Sequence, residues 1–502
     1  MLAVLFSIEQ GDTRRFRIHG SRDETPATYE MMRELAREVR RITGVKVDVI
    51  DYAAASAGDF YVSTQPWAAK AAYTYGVRNG VMGFHGSDVL GTEAALRHFI
   101  DHELKPKKAG SRLEWNDLRV NEGPQWGDVR EQTIAAVRAE RARENAPEWE
   151  NELVNYVNVE PARAYSMPLA RQADALTDDW PETPYVKSLN GRWRYNWCGA
   201  PAQRPRDFWR TDFDDSSWYE IDVPSCVELK GFGVPIYTNI PYPHPATPPK
   251  LDPDYNPVSS YRTTFTVPDD WRGRNVYLRF EGVYSGYYVW VNGKRVGYSE
   301  DSCTAHEFNI TPYLHQPPAT NLLAVEVYRW SDGSYLEDQD YFRYSGIYRN
   351  VMIFATPKAE IWDFHAKTDL ANGYRDGVID LAVETRGEKA PVSAALYDAE
   401  FRKVCDVAVG GRTLVRNVRL WSAEKPVLYT LVIQNGADIR SCKLGFKKIE
   451  ETPTGAVLVN GRKIKFKGVN RHETNPSRGR SVTLDDMVRD VTLMKQYNIN
   501  TV

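Results

Sequence analysis

Residues 287–293, Tyr-Tyr-Val-Trp-Val-Asn-Gly, indicate the fold class of the longest part of this chain. Aromatic and β-branched residues fill the run, and the Asn-Gly pair that ends it is a strong signal for a tight hairpin turn. Similar runs occur at Tyr277–Phe280 and Leu323–Tyr328. From about residue 184 onward, turn signals recur about every 8 to 12 residues, which predicts an all-β sandwich or jelly roll.

The beginning of the chain has a different pattern. Pro26 occupies a first helical position, apolar residues then recur at helical spacing, and Gly44 ends the helix. A strand follows, then a hairpin that turns at Asn79-Gly80, then a second helix. This order predicts a small α/β domain over residues 1–108. Residues 109–149 are predicted to form a polar linker followed by a charged spacer helix.

The pattern changes again after the jelly roll, which is expected over residues 150–357. Residues 358–450 form a smaller β set, sized for one immunoglobulin-like sandwich. Residues 451–502 combine a hairpin at Asn460-Gly461, a helix capped by Thr483 and a final apolar run. Strand, helix and strand in succession predict the start of a parallel βα series.

Composition and charge exclude several classes of protein. The 502 residues, 42% of them hydrophobic and 26% charged, suggest about three folded domains. The net charge of −3, without a basic stripe, argues against a nucleic-acid partner. The apolar run Leu2–Phe6 is too short for a signal peptide or a membrane helix. A cytoplasmic location is therefore expected, with the periplasm left open because Met1 need not be the native start. The five cysteines lack metal or redox spacing and are predicted to be free and mostly buried.

Eight segments, in order, resemble glycoside hydrolase family 2, and its β-galactosidases in particular. They are SLNGRW (188–193), PIYTNIPY (235–242), FEGV (280–283), WVNG (290–293), RWSDGSYLEDQD (329–340), SGIYR (345–349), LWSAE (420–424) and KGVNRHE (467–473). The resemblance implies a sugar-binding jelly roll, an immunoglobulin-like sandwich and a TIM barrel represented by its first strand-helix unit. The first 108 residues resemble the non-catalytic α/β domain of family 20 hexosaminidases and α-glucuronidases.

The resemblance also implies an activity. It is the retaining hydrolysis of terminal β-D-galactosides by double displacement, which needs two carboxyl groups. Both catalytic glutamates, and the ligands of a catalytic Mg²⁺, are expected beyond residue 502, so this segment alone is predicted to be inactive. Other family 2 exo-glycosidases, of the β-glucuronidase or β-mannosidase type, remain an alternative. So do a non-catalytic carbohydrate-binding fragment and a structural protein. A homo-oligomer is compatible with the family.

Three residues are candidates for substrate binding. His472 ends the first barrel strand, and barrel active sites lie at the carboxyl ends of strands. By resemblance, His472 contacts galactosyl hydroxyls, and Asp340 ligates Na⁺ and reaches the 6-hydroxyl. Asn239 matches a pocket asparagine, whose amide can both donate and accept hydrogen bonds. The structural alternatives stay open: a satisfied histidine, an exposed acidic turn and a loop-stabilising asparagine.

Neighbouring residues are expected to support this site. Glu337 and Asp338 are predicted to brace the loop that carries Asp340. Trp330 ends a strand and is predicted to be sandwich core rather than a sugar-stacking platform. Arg471 and Glu473 flank His472 and either orient the site or pair with each other.

Overall fold

The computed structural model describes residues 146–502 apart from 178–182, 239–240 and 338–339. Within residues 1–145 it describes 6–8, 16–20, 26–43, 45, 47–51, 60–64, 73–78, 81–86, 96–97, 99–105, 113–115, 119–120 and 138–139. The chain forms two compact units, Met1–Asn145 and Ala146–Val502.

The first unit is an α/β structure, as predicted. Its helix Pro26–Thr43 buries an apolar stripe that includes Met32, Leu35 and Val39. A six-stranded sheet has the order Val47–Asp51, Phe16–Gly20, Phe60–Thr64, Val81–Gly86, Tyr73–Arg78 and Arg119–Val120. The first four strands are mutually parallel, and the predicted hairpin supplies the antiparallel pair. A further helical turn spans Phe99–Leu104.

Part of the predicted polar linker, within residues 113–120, forms short strands. Leu113–Trp115 pairs with Phe6–Ile8, and Arg119–Val120 pairs with the strand Tyr73–Arg78. Strands of two or three residues are too short to show an alternating pattern, so only their partners define them. Of the predicted charged helix, residues 138 and 139 are described and are helical, and the rest lies outside the described residues.

The second unit begins with the predicted jelly roll. A seven-stranded antiparallel sheet has the order Tyr219–Val223, Gly191–Cys198, Val258–Thr266, Thr320–Tyr328, Gly286–Val291, Lys294–Ser299 and Tyr156–Val157. The facing sheet comprises Val186–Ser188, Val351–Thr356, Asn275–Phe280 and His306–Asn309. Two-stranded ladders join Ile236–Thr238 to Tyr341–Arg343 and Val283–Tyr284 to Gly346–Ile347. Short helices lie at Glu148–Glu150, Asp174–Thr177, Pro201–Gln203, Val227–Lys230, Asp269–Trp271, Thr311–Tyr313 and Asp332–Tyr335.

The core of the jelly roll lies where its inward-facing apolar side chains meet. Trp193, Leu278, Val325 and Ile353 belong to one buried cluster. Trp330 is only 1% exposed, which confirms its predicted place in the core. Asn292 and Gly293 both have positive φ, 52° and 79°, as a tight hairpin turn requires.

An immunoglobulin-like sandwich follows, as predicted. One sheet comprises Ala359–Ala371, Asp376–Gly387 and Gly411–Val415. The other has the order Lys403–Asp406, Val392–Tyr397, Tyr429–Asn435 and Asp438–Leu444. Ile379, Leu396 and Leu431 are fully buried in its core.

The last part contains a small sheet and a helix whose flanking segments are joined by a parallel bridge. A small sheet comprises Ile449–Glu451, Val457–Val459 and Arg462–Lys463. The helix Leu484–Gln496 begins at the predicted cap, where Thr483 and Asp486 form a reciprocal capping box. Gly468 and Thr501 form a parallel bridge on either side of this helix in the chain. The predicted start of a βα barrel is thereby confirmed.

Two smaller expectations have different outcomes. All five cysteines are free, as predicted, but only Cys226 is buried and Cys303 is exposed. No helix among the described residues is long and apolar enough to cross a membrane.

Candidate functional site

The loop that carries Asp340 is held against the proline-rich segment by a short ladder. Tyr237 lies opposite Phe342 in this antiparallel pair. The Tyr237 hydroxyl donates a hydrogen bond of 2.5 Å to Oδ1 of Asp340, and this bond raises the pKa of Tyr237. Both side chains are exposed. The carboxylate is therefore fixed in direction while it remains open to a ligand.

His472 contacts this loop from the barrel segment that follows the parallel bridge at Gly468, and not from the end of a regular strand as predicted. Its exposed ring lies against Tyr341, with ring centroids 6.2 Å apart and planes 19° from parallel. Tyr341 directly follows Asp340 in the chain, so the loop that carries Asp340 contacts His472 through Tyr341. The third predicted binding residue, Asn239, lies outside the described residues, and its role stays a prediction.

Glu337 holds the loop that carries Asp340 against the neighbouring chain at Ser302. Its two carboxylate oxygens accept hydrogen bonds from the backbone N–H and the hydroxyl of Ser302, at 2.8 and 2.7 Å. Arg343 donates to the backbone carbonyl of Glu337 at 2.5 Å. Burial raises the pKa of Glu337. The bracing role of Glu337 is confirmed, whereas Asp338 lies outside the described residues.

A buried ion pair supports both strands of the ladder. Arg329 and Glu228 are 3.6 Å apart (Nε to Oε1), and each side chain is 1% exposed. Arg329 donates to the carbonyl of Val234 at 2.8 Å and to that of Arg343 at 3.0 Å. Glu228 accepts hydrogen bonds from the backbone N–H and the hydroxyl of Ser345. The pair thus ties together the chain segments that flank Tyr237 and Asp340.

Arg471 and Glu473 pair with each other, as one of the two alternatives predicted. Their side chains are 3.7 Å apart (Nη1 to Oε1), but each has a second partner. Glu473 forms an ion pair with Arg349 of the jelly roll, and Arg471 binds Asp490 of the following helix at 2.8 Å. The end of the first barrel strand is therefore tied to the jelly roll on one side and to its own helix on the other.

Sequence reasoning missed three residues of this site: Tyr237, Tyr341 and Arg480. A signal for Tyr237 existed, because residues two apart on a strand point to the same face and Tyr237 precedes Asn239 by two. Tyr341 adjoins Asp340 in the sequence. Arg480 lies in a loop without periodicity, and its contacts depend on residues far away in the chain.

The described residues contain no group of three or more His, Cys, Asp or Glu side chains that could hold a metal ion. Asp340 offers carboxylate oxygens, which suit hard cations. A monovalent ion such as Na⁺ fits this single carboxylate if water, carbonyl or sugar oxygens complete its shell.

The fold and the site together define a class of protein. A sugar-binding jelly roll whose loop meets the first strand of a βα barrel is the arrangement of a multidomain glycoside hydrolase. Family models match in the same order: the sugar binding domain of glycosyl hydrolases family 2 at residues 186–357, a further family 2 domain at 359–447 and the family 2 TIM barrel domain at 451–502. The chain belongs to glycoside hydrolase family 2.

Several curated relatives are named β-galactosidases. A β-galactosidase of Priestia megaterium is 39% identical over 386 residues, which are 71% of this chain and 37% of that protein. A β-galactosidase of Halalkalibacterium halodurans is 39% identical over 63% of this chain and 33% of its own length. The β-galactosidase large subunit of Lactobacillus helveticus is 37% identical over 63% and 55%. The chain thus spans about a third to a half of the length of these relatives.

Solved structures agree in fold. A β-glucuronidase from an uncultured Clostridium species is 25% identical, with a TM-score of 0.51 over 62% of this chain and 53% of that one. A Ruminococcus gnavus β-glucuronidase in complex with uronic isofagomine is 22% identical, with a TM-score of 0.51 over 64% and 54%. At this identity the second match supports the fold alone.

Proposed function

We propose that this chain supplies the sugar-binding wall of a retaining β-galactosidase, which hydrolyses terminal β-D-galactosides by double displacement. One observation supports the proposal: the jelly-roll loop that carries Asp340 contacts His472 of the barrel segment through the ring of Tyr341. The curated relatives named as β-galactosidases support the choice of sugar.

Each residue has a role that its chemistry permits. The His472 imidazole can donate or accept one hydrogen bond to a sugar hydroxyl, and Asp340 can accept one from the 6-hydroxyl. Asn239 is proposed to lie in the same wall. The two catalytic carboxyl groups of a retaining glycosidase would come from barrel strands outside these 502 residues.

Metal ions enter the proposal at one point in this chain. Asp340 would contribute a carboxylate oxygen to a Na⁺ ion beside the sugar, which places a positive charge near the 6-hydroxyl. The Mg²⁺ expected for the family would be held by side chains outside this chain.

A β-glucuronidase is the second candidate, because the structural relative from an uncultured Clostridium species carries that name. A glucuronide has a carboxylate where a galactoside has the 6-hydroxyl. The carboxylate of Asp340 would repel that group, since like charges at short range are unfavourable. The 6-hydroxyl of a galactoside can instead donate a hydrogen bond to Asp340, which favours the galactoside.

A binding experiment separates these candidates. Saturation-transfer difference NMR would compare phenyl β-D-galactoside with the matched phenyl β-D-glucuronide, with and without Na⁺. We expect the chain to bind the galactoside, and Asp340→Asn to lose both affinity and sodium dependence. Asp212→Asn is the control, because Asp212 is an exposed jelly-roll aspartate paired with Arg210 at 2.8 Å. Stronger binding of the glucuronide would support the second candidate, and binding of neither sugar would refute the sugar-binding wall.

A further inference from the structure

Arg480 lies in the loop that leads from His472 to the helix Leu484–Gln496. Its guanidinium carbon is 4.8 Å from the ring centroid of Tyr341 and 4.7 Å from that of Tyr348. A third jelly-roll ring, that of Tyr284, is 5.6 Å away. These three rings form a tyrosine cage around a cation, an arrangement that is favourable within about 6 Å.

The same guanidinium also donates two hydrogen bonds. Nη1 donates to the hydroxyl of Tyr341 at 3.1 Å, and Nη2 donates to Sγ of Cys303 at 3.0 Å. A planar guanidinium with five donors can stack on rings and donate at its edge at once, whereas a lysine ammonium is a point charge on a flexible stem. The geometry at Arg480 therefore uses properties that a lysine lacks.

The residues beside Arg480 hold the loop close to the jelly roll. The hydroxyl of Ser481 donates to the carbonyl of Tyr348 at 2.8 Å. Gly479 has a φ of +58°, and a Cβ atom there would lie 3.0 Å from the Tyr344 ring and 3.1 Å from Sγ of Cys226. The backbone thus approaches the sandwich at a distance that only glycine fits comfortably.

Tyr341 connects this anchor to the proposed sugar site. It contacts Arg480 through its ring and hydroxyl, and its ring lies against His472. It is also the residue that follows Asp340 in the chain. We infer that Arg480 is a positioning residue: by holding Tyr341 in place, it keeps the distance between Asp340 and His472 constant in the proposed sugar site. The inference rests on the proposed function for its consequence in sugar binding, but its structural part can be tested separately.

The test uses the 502-residue chain with Arg480→Met and Arg480→Lys. Arg478→Met is the matched control, since Arg478 lies in the same loop and pairs with Asp486 at 2.5 Å. Two quantities are measured: the dissociation constant for isopropyl β-D-thiogalactoside, and the rate of His472 modification by diethyl pyrocarbonate, followed by peptide mass spectrometry. We expect both Arg480 variants to bind about tenfold more weakly, and we expect His472 to be modified faster because its ring loses the fixed contact with Tyr341. The control should change neither quantity.

A double-mutant cycle shows that Arg480 acts through Tyr341. Tyr341→Phe alone should weaken binding, and it should add little in the Arg480→Met background, because the two residues act as one unit. If Arg480→Met does not fold, Arg480→Lys and Tyr341→Phe decide the question. An unchanged His472 rate in the Arg480 variants, or an equal change in Arg478→Met, would overturn the inference. If the unmodified chain binds no galactoside while the His472 rate still responds to Arg480, the proposed function fails and the positioning role stands.

Discussion

Replacing Glu228 by glutamine tests whether a buried charge pair supports the candidate site. Glutamine keeps the shape of the side chain but removes its charge, which leaves the Arg329 guanidinium buried without a counter-ion. Burial raises the pKa of Glu228, and the nearby Arg329 opposes that shift. The carboxylate is therefore held in an unfavourable environment mainly by its partner and by the two donors of Ser345.

The expected cost follows from the geometry. Two unit charges 3.6 Å apart interact by about 4 to 5 kcal/mol at an effective dielectric constant of about 20. Removing one partner of a buried pair typically costs about 3 to 5 kcal/mol, because the other charge stays desolvated. A loss of this size should lower the melting temperature of the jelly-roll transition by about 10 °C.

Differential scanning calorimetry near pH 7 measures this loss, and Glu220→Gln is the matched control. Glu220 also pairs with arginines, at 3.4 Å from Arg192 and 3.6 Å from Arg194, but its side chain is 45% exposed. Exposed pairs contribute at most about 1 kcal/mol, so the control should change the melting temperature little. A loss below about 1 kcal/mol for Glu228→Gln, or one equal to that of the control, would refute the reasoning.

Three further predictions concern stability and activity. Burial raises the pKa of Glu300 to about 8 and that of Asp332 to about 6, from 4.5 and 3.8. The folded state therefore binds more protons than the unfolded state between about pH 4 and 8. The free energy of unfolding should fall as pH rises through this range, by up to about 1.4 kcal/mol per pH unit per group. Glu300→Gln should flatten this slope in melting temperatures measured across the same pH range, and an unchanged slope would contradict the raised pKa of Glu300. Glu337→Ala leaves two donors of Ser302 without this partner, so the free energy of unfolding measured with denaturant should fall by about 1 to 3 kcal/mol and galactoside binding should weaken. Unchanged stability and unchanged binding would argue against the role of Glu337 in supporting the loop. The 502-residue chain should not hydrolyse a chromogenic β-galactoside, and turnover abolished by changing a carboxylate within the chain would disprove that.

Sequence predicted the elements whose signals are local. The Asn-Gly pairs at 292–293 and 460–461 adopt positive φ in hairpin turns, because asparagine and glycine tolerate that region best. Thr483 forms the predicted cap because its partner Asp486 is only three residues away. In contrast, the strand Leu113–Trp115 was missed because it is defined by pairing with Phe6–Ile8, more than a hundred residues distant.

The candidate site follows the same division. His472 and Asp340 could be predicted because each ends a segment with a recognisable pattern. The contact between His472 and the loop that carries Asp340 could not be predicted from spacing, since it depends on Tyr341 and on the pairing of Tyr237 with Phe342. Arg480 gave no signal at all, because a guanidinium is as common on a solvated loop as in a cage of rings.

The contacts between the jelly roll and the barrel strand have a consequence for recognition. A sugar held by Asp340 on one side and His472 on the other requires a fixed distance between two domains. The chain provides three independent ties at this point: the ion pair of Arg349 with Glu473, the cage around Arg480 and the hydrogen bond from Ser481. Groups fixed before the ligand arrives lose less conformational entropy on binding than groups on a mobile joint. Under the proposed function, substitutions at these ties should therefore weaken sugar binding, even though none of them removes a group that is proposed to touch the sugar.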